Sequence, residues 1–184
     1  MTKTKLNPPI EKIIFTYEQI LEGINLCANW LNNLIKKNEE YVAISVLKGS
    51  LPFAGHLLPL LKGNIIFDFF AVTSYRKGST QTIPQIILDT TNDVENKNVI
   101  IIEDIVDSGT TLNFLIDILK KRKAKKIILV SLFKKNKHKL KNLDKVSFFS
   151  PLTLPNGWVV GFGLDYDNKW RNLSYIGLLK KVEE

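Results

Sequence analysis

The chain has few of the residues that build disulfide frameworks or zinc clusters. Its 184 residues include one cysteine, Cys27, and two histidines. A single cysteine excludes an intrachain disulfide and a cysteine-based zinc cluster, and the apolar helical pattern around Cys27 places it in the core. No apolar run approaches the roughly 20 residues of a membrane-spanning helix, and the first nine residues lack the apolar core of a signal peptide. We therefore expect a cytoplasmic protein with no membrane partner.

Apolar residues and lysines are abundant instead. Hydrophobic residues make up 45% of the chain, which excludes a disordered protein, and the length suffices for one domain with a core. The net charge of +8 suits nucleic acid or a strongly anionic small substrate. Because no aromatic residues are interleaved in the basic cluster Lys120–Lys126, stacking on single strands is not supported. We expect no nucleic-acid partner.

The most informative segment is Val99–Leu112, which reads VIIIEDIVDSGTTL. Its apolar start predicts a buried parallel strand; acidic residues, a turn of small hydroxylated residues and an apolar-periodic helix follow. Parallel strands present ligand-binding groups at their carboxyl ends, and such a turn directs backbone N–H groups at an anion. A helix cap would explain one acid but not three. The segment therefore predicts a phosphate site beside carboxylates suited to Mg²⁺.

The stretch Glu103–Thr111 resembles the phosphoribosyl-pyrophosphate (PRPP) binding motif of the type I phosphoribosyltransferases: two acids, two apolar residues, Asp, Ser or Thr, Gly, any residue and Thr. The resemblance implies an α/β fold with a central, mainly parallel sheet flanked by helices and a small hood from the chain ends. Alternating strand and helix patterns independently favour a parallel sheet. We expect one domain over residues 1–184, with its core at about 38–150.

The element pattern follows from apolar spacing. We expect helices over 17–36, from Pro52 to about residue 62, and over 111–121. Ser74–Pro84 is polar and is interpreted as a mobile loop. The apolar runs predict strands at 41–47, 65–72, 86–88, 99–102, 127–133, 146–149, 158–162 and 175–179.

The resemblance also implies roles for the motif residues. Glu103 and Asp104 would lie near the ribose hydroxyls, directly or through Mg²⁺. Asp107 would act as general base at purine N7. The 5′-phosphate would be held by Ser108, Gly109, Thr110 and Thr111, with Asp107 beside them.

A second turn, Leu47-Lys48-Gly49, has a glycine that lets the backbone approach a phosphate and a lysine that adds positive charge. In the hypoxanthine-guanine branch of the family such a turn binds pyrophosphate, usually through a strained Lys-Gly peptide, and a loop carrying Ser-Tyr closes over the site. The resemblance therefore implies pyrophosphate contacts for Lys48 and Gly49, and a lid role for Ser74 and Tyr75.

The segment Trp158–Tyr166 combines an aromatic ring with a polar turn, an arrangement that suits stacking on a flat base. It resembles the tail of the 6-oxopurine enzymes of this family. That likeness implies that Trp158 and Val159 hold the purine, and that Asp165 borders the purine site and coordinates Mg²⁺ with pyrophosphate. It also implies that Arg171 contacts pyrophosphate.

The family places a lysine after the strand that follows the motif helix, where it donates to the purine O6. Lys134 and Lys135 both fall there, and we favour Lys135 because bacterial relatives that read Leu-Leu-Asp-Lys-Pro align it with that lysine. His56 and His138 belong to no catalytic group and are interpreted as structural or solvated.

Together these features predict a Mg²⁺-dependent enzyme that transfers the phosphoribosyl group from PRPP to hypoxanthine or guanine, and that forms a dimer or tetramer as relatives do. Three alternatives stay open. They are a phosphoribosyltransferase for xanthine or adenine, a non-catalytic PRPP sensor that binds nucleic acid, and a generic doubly wound phosphate-binding domain.

Overall fold

The computed structural model describes residues 8–77, 81–135 and 146–180, and gives the backbone alone for 74–77 and 81–83. Two sheets and three α-helices make up this part of the chain. No helix among the described residues is long and apolar enough to cross a membrane.

The central sheet has seven strands in the order β4-β3-β2-β5-β6-β7, with β8 pairing β6 beyond the end of β7. All pairings are parallel except that of β3 with β4. The mainly parallel sheet expected from the alternating pattern is therefore confirmed. The strands are Glu40–Leu47 (β2), Asn64–Lys77 (β3), Gln81–Leu88 (β4), Asn98–Val106 (β5), Lys126–Lys135 (β6), Val146–Phe149 (β7) and Leu152–Leu154 (β8).

The chain ends form a small second sheet, the hood, as expected. Ile10–Phe15 (β1) pairs with Ile176–Leu179 (β10), which pairs with Val159–Val160 (β9), all antiparallel. The prediction missed β1 and made β9 too long, because strands this short are stabilised by the partner rather than by their own pattern. Trp158 lies just outside β9.

Helices cover both faces of the central sheet. They are α1 (Tyr17–Leu34), α2 (Leu51–Leu57, continued by a 3-10 turn over Leu58–Leu60) and α3 (Thr110–Lys121). Thr16 and Gln19 form a reciprocal capping box at the start of α1, which satisfies N–H groups that a helix start leaves free. The start of α2 has Pro in its first turn, where the missing N–H costs nothing.

The strands β2, β5 and β6 are buried on both sides, so their side chains alternate between two cores. Ala43 and Ile100 belong to the core under α1, α2 and the hood, whereas Ile44 and Ile101 belong to the core under α3. Cys27 is fully buried in the first core, as predicted. Burial raises the pKa of its thiol to about 12.

The interpretation of Ser74–Pro84 as a loop is wrong for its described residues. Ser74–Lys77 extend β3 and Gln81–Pro84 belong to β4, paired from Ser74 opposite Pro84 to Lys77 opposite Gln81. Antiparallel pairing satisfies backbone polar groups whatever the side chains are, so polar composition was a poor guide. Since β2 pairs β3 only as far as Ala71, this hairpin projects beyond the sheet.

The buried carboxylate of Asp68 in β3 organises the connector between β4 and β5. It accepts hydrogen bonds from the backbone N–H groups of Thr91 (2.8 Å) and Asn92 (3.0 Å), and from the Asn92 amide (2.8 Å). Burial alone would raise the pKa of Asp68, but these bonds and the one from Thr90 outweigh it and hold the pKa well below its usual value. Asp68 therefore stabilises the fold in its ionised form.

We expect Asp68→Asn to lower the free energy of unfolding at neutral pH by about 1–3 kcal/mol, because an amide meets N–H donors with an N–H₂ group. The lowered pKa makes this contribution complete above the unfolded-state pKa of about 4 and lost as the pH falls below it. Urea unfolding between pH 7 and pH 3 measures both effects. The control is Asp93→Asn, the same chemical change at an exposed residue of the same connector; equal losses in the two variants would contradict the role of Asp68.

Candidate active site

The carboxyl ends of β2 and β5 and the start of α3 surround a cavity of about 310 Å³. Parallel strands open their ligand sites at this edge. Side chains and backbone from the motif, the Leu47–Gly49 turn and the hood all reach it. The cavity is lined by Val46, Leu47, Lys48, Gly49, Val72, Glu103, Asp104, Ile105, Asp107, Ser108, Gly109, Thr110, Thr111, Leu112 and Arg171.

The turn between β5 and α3 forms one wall of this cavity. Gly109 precedes the first helical residue with a φ of 74°, a left-handed conformation that glycine adopts without strain. The Ser108 and Thr110 hydroxyls lie 3.3 Å apart, and the Thr110 N–H also approaches Ser108 Oγ. Hydroxyls, backbone N–H groups and the positive end of the helix dipole thus meet at one place, which suits a phosphate.

Glu103 and Asp104 form the acidic floor. Burial and the neighbouring charge of Asp104 raise the pKa of Glu103 well above its usual value. Burial also raises the pKa of Asp104, although the hydrogen bonds to its carboxylate and the charge of Arg171 oppose the shift. Two adjacent carboxylates at this depth favour a bound cation, which would offset their repulsion.

The donor set fits Mg²⁺ only in part. Carboxylate oxygens are its preferred ligands, and Mg²⁺ is usually bound by one or two carboxylates together with water and substrate phosphates. Among the described residues, no group of three or more His, Cys, Asp or Glu side chains is placed to hold a metal ion by itself. Glu103 and Asp104 therefore supply at most two carboxylates, and water and substrate oxygens would have to complete the coordination of a metal ion. Asp165, the third expected ligand, is paired with Arg171 (2.7 Å).

The Lys48–Gly49 turn is packed against the acidic floor. A Cβ at Gly49 would overlap the Asp104 carboxylate, so a larger residue there would have to displace that side chain. The hood approaches from the other side: Gly163, with a φ of 98°, lies directly on the Gly49 carbonyl. The peptide bond between Leu47 and Lys48 is cis, one bond before the Lys48–Gly49 peptide.

A second cavity of about 170 Å³ adjoins the first, and both are lined by Asp104, Ile105 and Asp107. The hood supplies much of its wall. Its remaining lining residues are Lys135, Gly157, Trp158, Val159, Leu164 and Asp165.

Lys135 is the lysine that lines the smaller cavity. Its ammonium donates to the Gly157 carbonyl (3.2 Å) and lies 3.4 Å from Asp107 Oδ2. Lys134 is the preceding residue of β6, and successive side chains of a strand point to opposite faces. The structure thus favours Lys135 over Lys134 as the lysine of this cavity.

The hood residues occupy distinct positions. Trp158 is 66% exposed and Val159 is buried, although both line the smaller cavity. Arg171 lines the larger cavity and pairs with Asp165 (Nη2 to Oδ1, 2.7 Å), which lines the smaller one. Arg171 also donates to the Gly163 carbonyl (2.7 Å). The Asp165–Arg171 pair therefore joins the two cavities.

The structure does not describe the side chains of Ser74 and Tyr75, whose backbone belongs to the hairpin of β3 and β4. His56 bonds Tyr17 and the Pro52 carbonyl, in keeping with a structural role, and His138 lies outside the described residues. The sequence pattern did not single out Gly163 and Gly157 as site residues. The positive φ of Gly163 is a property of the folded backbone, but a glycine on each side of Phe162 was an available signal in the sequence.

The family model described as a phosphoribosyl transferase domain matches residues 14–167. Because this match spans most of the chain, the chain belongs to the phosphoribosyltransferase family. The type I fold is thereby confirmed, and a generic phosphate-binding domain is excluded.

Three of the similar proteins are named as hypoxanthine or hypoxanthine-guanine phosphoribosyltransferases. The chain is 39% identical over 174 residues to the hypoxanthine-guanine phosphoribosyltransferase of Mycoplasma genitalium, covering 93% of this chain and 97% of that one. It is 36% identical over 178 residues to the enzyme of the same name from Streptococcus mutans, with coverage of 96% and 97%. The crystal structure of a hypoxanthine phosphoribosyltransferase from Staphylococcus aureus superposes with a TM-score of 0.83 at 33% identity, covering 94% and 92% of the two chains.

We expect Gly163→Ala to reduce the kcat/KM of the phosphoribosyltransferase reaction roughly 10- to 100-fold. Small displacements of groups in an active site have effects of this size. The added methyl would strike the Gly49 carbonyl and occupy a left-handed φ, so the hood must move away from the Lys48–Gly49 turn. Steady-state kinetics test this.

The control is Gly55→Ala, because a Cβ at Gly55 in α2 meets nothing within 4 Å. That change is expected to preserve kcat/KM and to raise stability by up to about 1 kcal/mol, since alanine is the better helix former. Normal kinetics in Gly163→Ala would contradict the contact with Gly49.

Proposed function

We propose that this protein transfers the 5-phosphoribosyl group of PRPP to the 6-oxopurines hypoxanthine and guanine, and that its active site is the pair of adjoining cavities. The reaction is that of hypoxanthine-guanine phosphoribosyltransferase, which recovers purine bases as nucleoside monophosphates and releases pyrophosphate. The names of the relatives and the chemistry of the cavities support it together.

The observation that carries the proposal is the shared wall of the two cavities. The larger one has a phosphate turn, a buried acidic pair and a lysine-glycine turn, and the smaller one has an exposed indole and a lysine. Asp104, Ile105 and Asp107 line both. PRPP in the larger cavity and a flat base in the smaller one would therefore bring the anomeric carbon and the purine together beside Asp107.

We assign the transfer of the purine proton to Asp107. Its side chain is 58% exposed and its Oδ2 lies 3.4 Å from the Lys135 ammonium, so the charged form has a partner before substrate binds. In the proposed mechanism Asp107 accepts the proton of N7 as the base bonds to the ribose. Lys135 donates to O6, which selects a 6-oxopurine over adenine because an amino group cannot accept that bond.

Departing pyrophosphate needs positive charge and N–H donors. We assign these to Lys48, to the backbone at Gly49, and to Arg171. Mg²⁺, when bound by Glu103, Asp104 and Asp165 with substrate oxygens, would neutralise phosphate charge and orient the leaving group. The Ser108–Thr111 turn holds the 5′-phosphate and so fixes the ribose between the two sites.

The hairpin of β3 and β4 suits a lid. It leaves the sheet beside Val72, a residue that lines the larger cavity. We propose that its Ser74-Tyr75 segment covers bound PRPP and excludes water, which would otherwise trap the cation-like ribosyl centre as a hydrolysis product.

The distribution of basic residues supports the enzyme rather than a nucleic-acid-binding sensor. At the end of the sheet away from the cavities, Lys97 pairs with Glu40 (2.9 Å), Lys123 with Glu95 (2.9 Å) and Lys125 with Glu39 (3.2 Å). Such pairing reduces the field that would attract a phosphate backbone. A sensor of PRPP would also have no use for a base pocket.

Two finer properties belong to the same proposal. A homo-oligomer, either a dimer or a tetramer, is supported by apolar side chains exposed at the sheet edge, among them Ile87 (65%) and Leu88 (43%), since exposed edge strands favour association.

A cytoplasmic location is supported by the single, buried cysteine, which suits a reducing compartment.

A pyrophosphate-release assay with PRPP tests the activity. We expect release with hypoxanthine and guanine in the presence of Mg²⁺, little with adenine, and none when the metal is chelated. Xanthine, run in parallel, tests the alternative base. If PRPP binds but no base yields pyrophosphate, the enzyme assignment is wrong, and a gel-shift assay at physiological salt would then examine the sensor alternative.

Asp107→Asn is expected to bind PRPP normally and to lower kcat about 10²–10⁴-fold, because the amide keeps the shape but cannot take the N7 proton. Titration with PRPP and pre-steady-state kinetics separate the two effects. The matched control is Asp117→Asn on the exposed side of α3, which should behave like the unmodified enzyme. Unchanged turnover in Asp107→Asn would remove Asp107 from the mechanism.

A further inference from the structure

Three aromatic side chains of the hood form a ladder at the mouth of the smaller cavity. The ring of Trp158 meets that of Tyr166 edge to face, with centroids 5.5 Å apart and planes at 74°. The ring of Tyr166 also contacts that of Trp170, nearly parallel at 12° with centroids 6.3 Å apart. Both are favourable aromatic geometries. Trp158 lines the smaller cavity, whereas Tyr166 and Trp170 are not among its lining residues.

A tight turn over residues 166–169 supports the three aromatic rings. Tyr166 and Lys169 exchange backbone hydrogen bonds (3.3 and 3.1 Å), and the residues between them, Asp167 and Asn168, have φ values of 53° and 58°. Positive φ at both central positions is typical of a type I′ turn, for which Asn and Asp are suited. The turn brings Trp170 back over the Tyr166 ring.

The same turn is tied to the phosphate side of the active site. Asp165 Oδ2 accepts the Asn168 N–H (2.8 Å), while Oδ1 of the same carboxylate pairs with Arg171. Trp170 immediately precedes Arg171. The ladder therefore connects the ring beside the base pocket to the residues that border the larger cavity.

The exposure of Trp158 makes such support useful. The indole is 66% exposed, and a side chain this open has several accessible rotamers that binding must restrict at an entropic cost. Its backbone is anchored, because the Trp158 carbonyl accepts the Leu179 N–H (2.9 Å). This hydrogen bond fixes the backbone of Trp158 but would by itself allow the indole to rotate. The contact with the Tyr166 ring restricts that rotation.

We propose that Tyr166, braced by Trp170, is a positioning residue that holds the Trp158 indole in the orientation needed to stack on the purine. This inference rests on the proposed function, in which Trp158 contacts the base. Tyr166 itself touches no substrate in this arrangement. Its effect on purine binding passes entirely through the Trp158 ring.

The test is a comparison of Tyr166→Leu with Tyr166→Phe in steady-state kinetics. Removal of the ring is expected to raise the KM for hypoxanthine roughly two- to tenfold, the range of one aromatic pair, and to leave the KM for PRPP unchanged. Phenylalanine should restore the normal value, because the edge-to-face contact uses the ring and not the hydroxyl. Equal KM values for hypoxanthine in Tyr166→Leu and the unmodified enzyme would overturn the proposal.

A double-mutant cycle shows whether the effect passes through Trp158. In a Trp158→Leu background, Tyr166→Leu should cause no further rise in the KM for hypoxanthine. An additive rise in the double variant would mean that Tyr166 acts by another route, and would overturn the proposal. Trp170→Leu is expected to show a smaller effect of the same kind.

Tyr17→Leu is the matched control for loss of an aromatic contact. Tyr17 is 38% exposed, close to the 37% of Tyr166, and contacts His56 and Phe162 away from the smaller cavity. It should leave the KM for hypoxanthine unchanged, and thermal unfolding identifies any variant that does not fold. If the unmodified protein has no activity with any 6-oxopurine, the proposed function fails; if only the Tyr166 effects are absent, the ladder alone is wrong.

Discussion

The active site is held together by close contacts among Gly49, the Asp104 carboxylate and Gly163. Gly49 has the Asp104 carboxylate on one side and Gly163 of the hood on the other, and neither contact leaves room for a Cβ. This stack fixes the Lys48–Gly49 turn against the acidic pair and seats the hood on the sheet. The positions of Arg171 and Asp165 follow from it, because Arg171 donates to the carbonyl of Gly163 and pairs with Asp165. Glycine is required for space at Gly49, and for both space and its left-handed φ of 98° at Gly163.

The two acids beside this packing are electrostatically unusual. Burial raises the pKa of both Glu103 and Asp104, a state that a nearby cation would relieve. Elsewhere the chain buries charge differently: Asp68 is surrounded by N–H and hydroxyl donors that hold its pKa down. The contrast separates the two roles. A carboxylate that accepts many hydrogen bonds is satisfied and structural, whereas an acidic pair with few donors is suited to a ligand.

The hood serves both halves of the site with one short segment. Between Gly157 and Arg171 it supplies the carbonyl that Lys135 contacts, the exposed indole, the acid and the arginine. Its small sheet joins the two ends of the chain, and its apolar residues share a core with α1 and the central sheet. Motion of the hood would therefore alter the two cavities together.

The sequence alone determined the features that adjacent residues build. Glu103–Thr111 lie on a strand, a turn and a helix start, so their relative positions follow from local geometry, and the parallel sheet followed from alternating patterns. Tertiary structure decided what depends on a distant partner. The hairpin after Ala71 and the strand Ile10–Phe15 exist because a second strand satisfies their backbone. Lys135 rather than Lys134 lines the cavity because the register of β6 sets which side chain faces it. The contact of Gly163 with Gly49 joins residues more than a hundred positions apart in the chain. A local sequence pattern cannot predict such a contact, because the two segments meet only when the whole chain has packed.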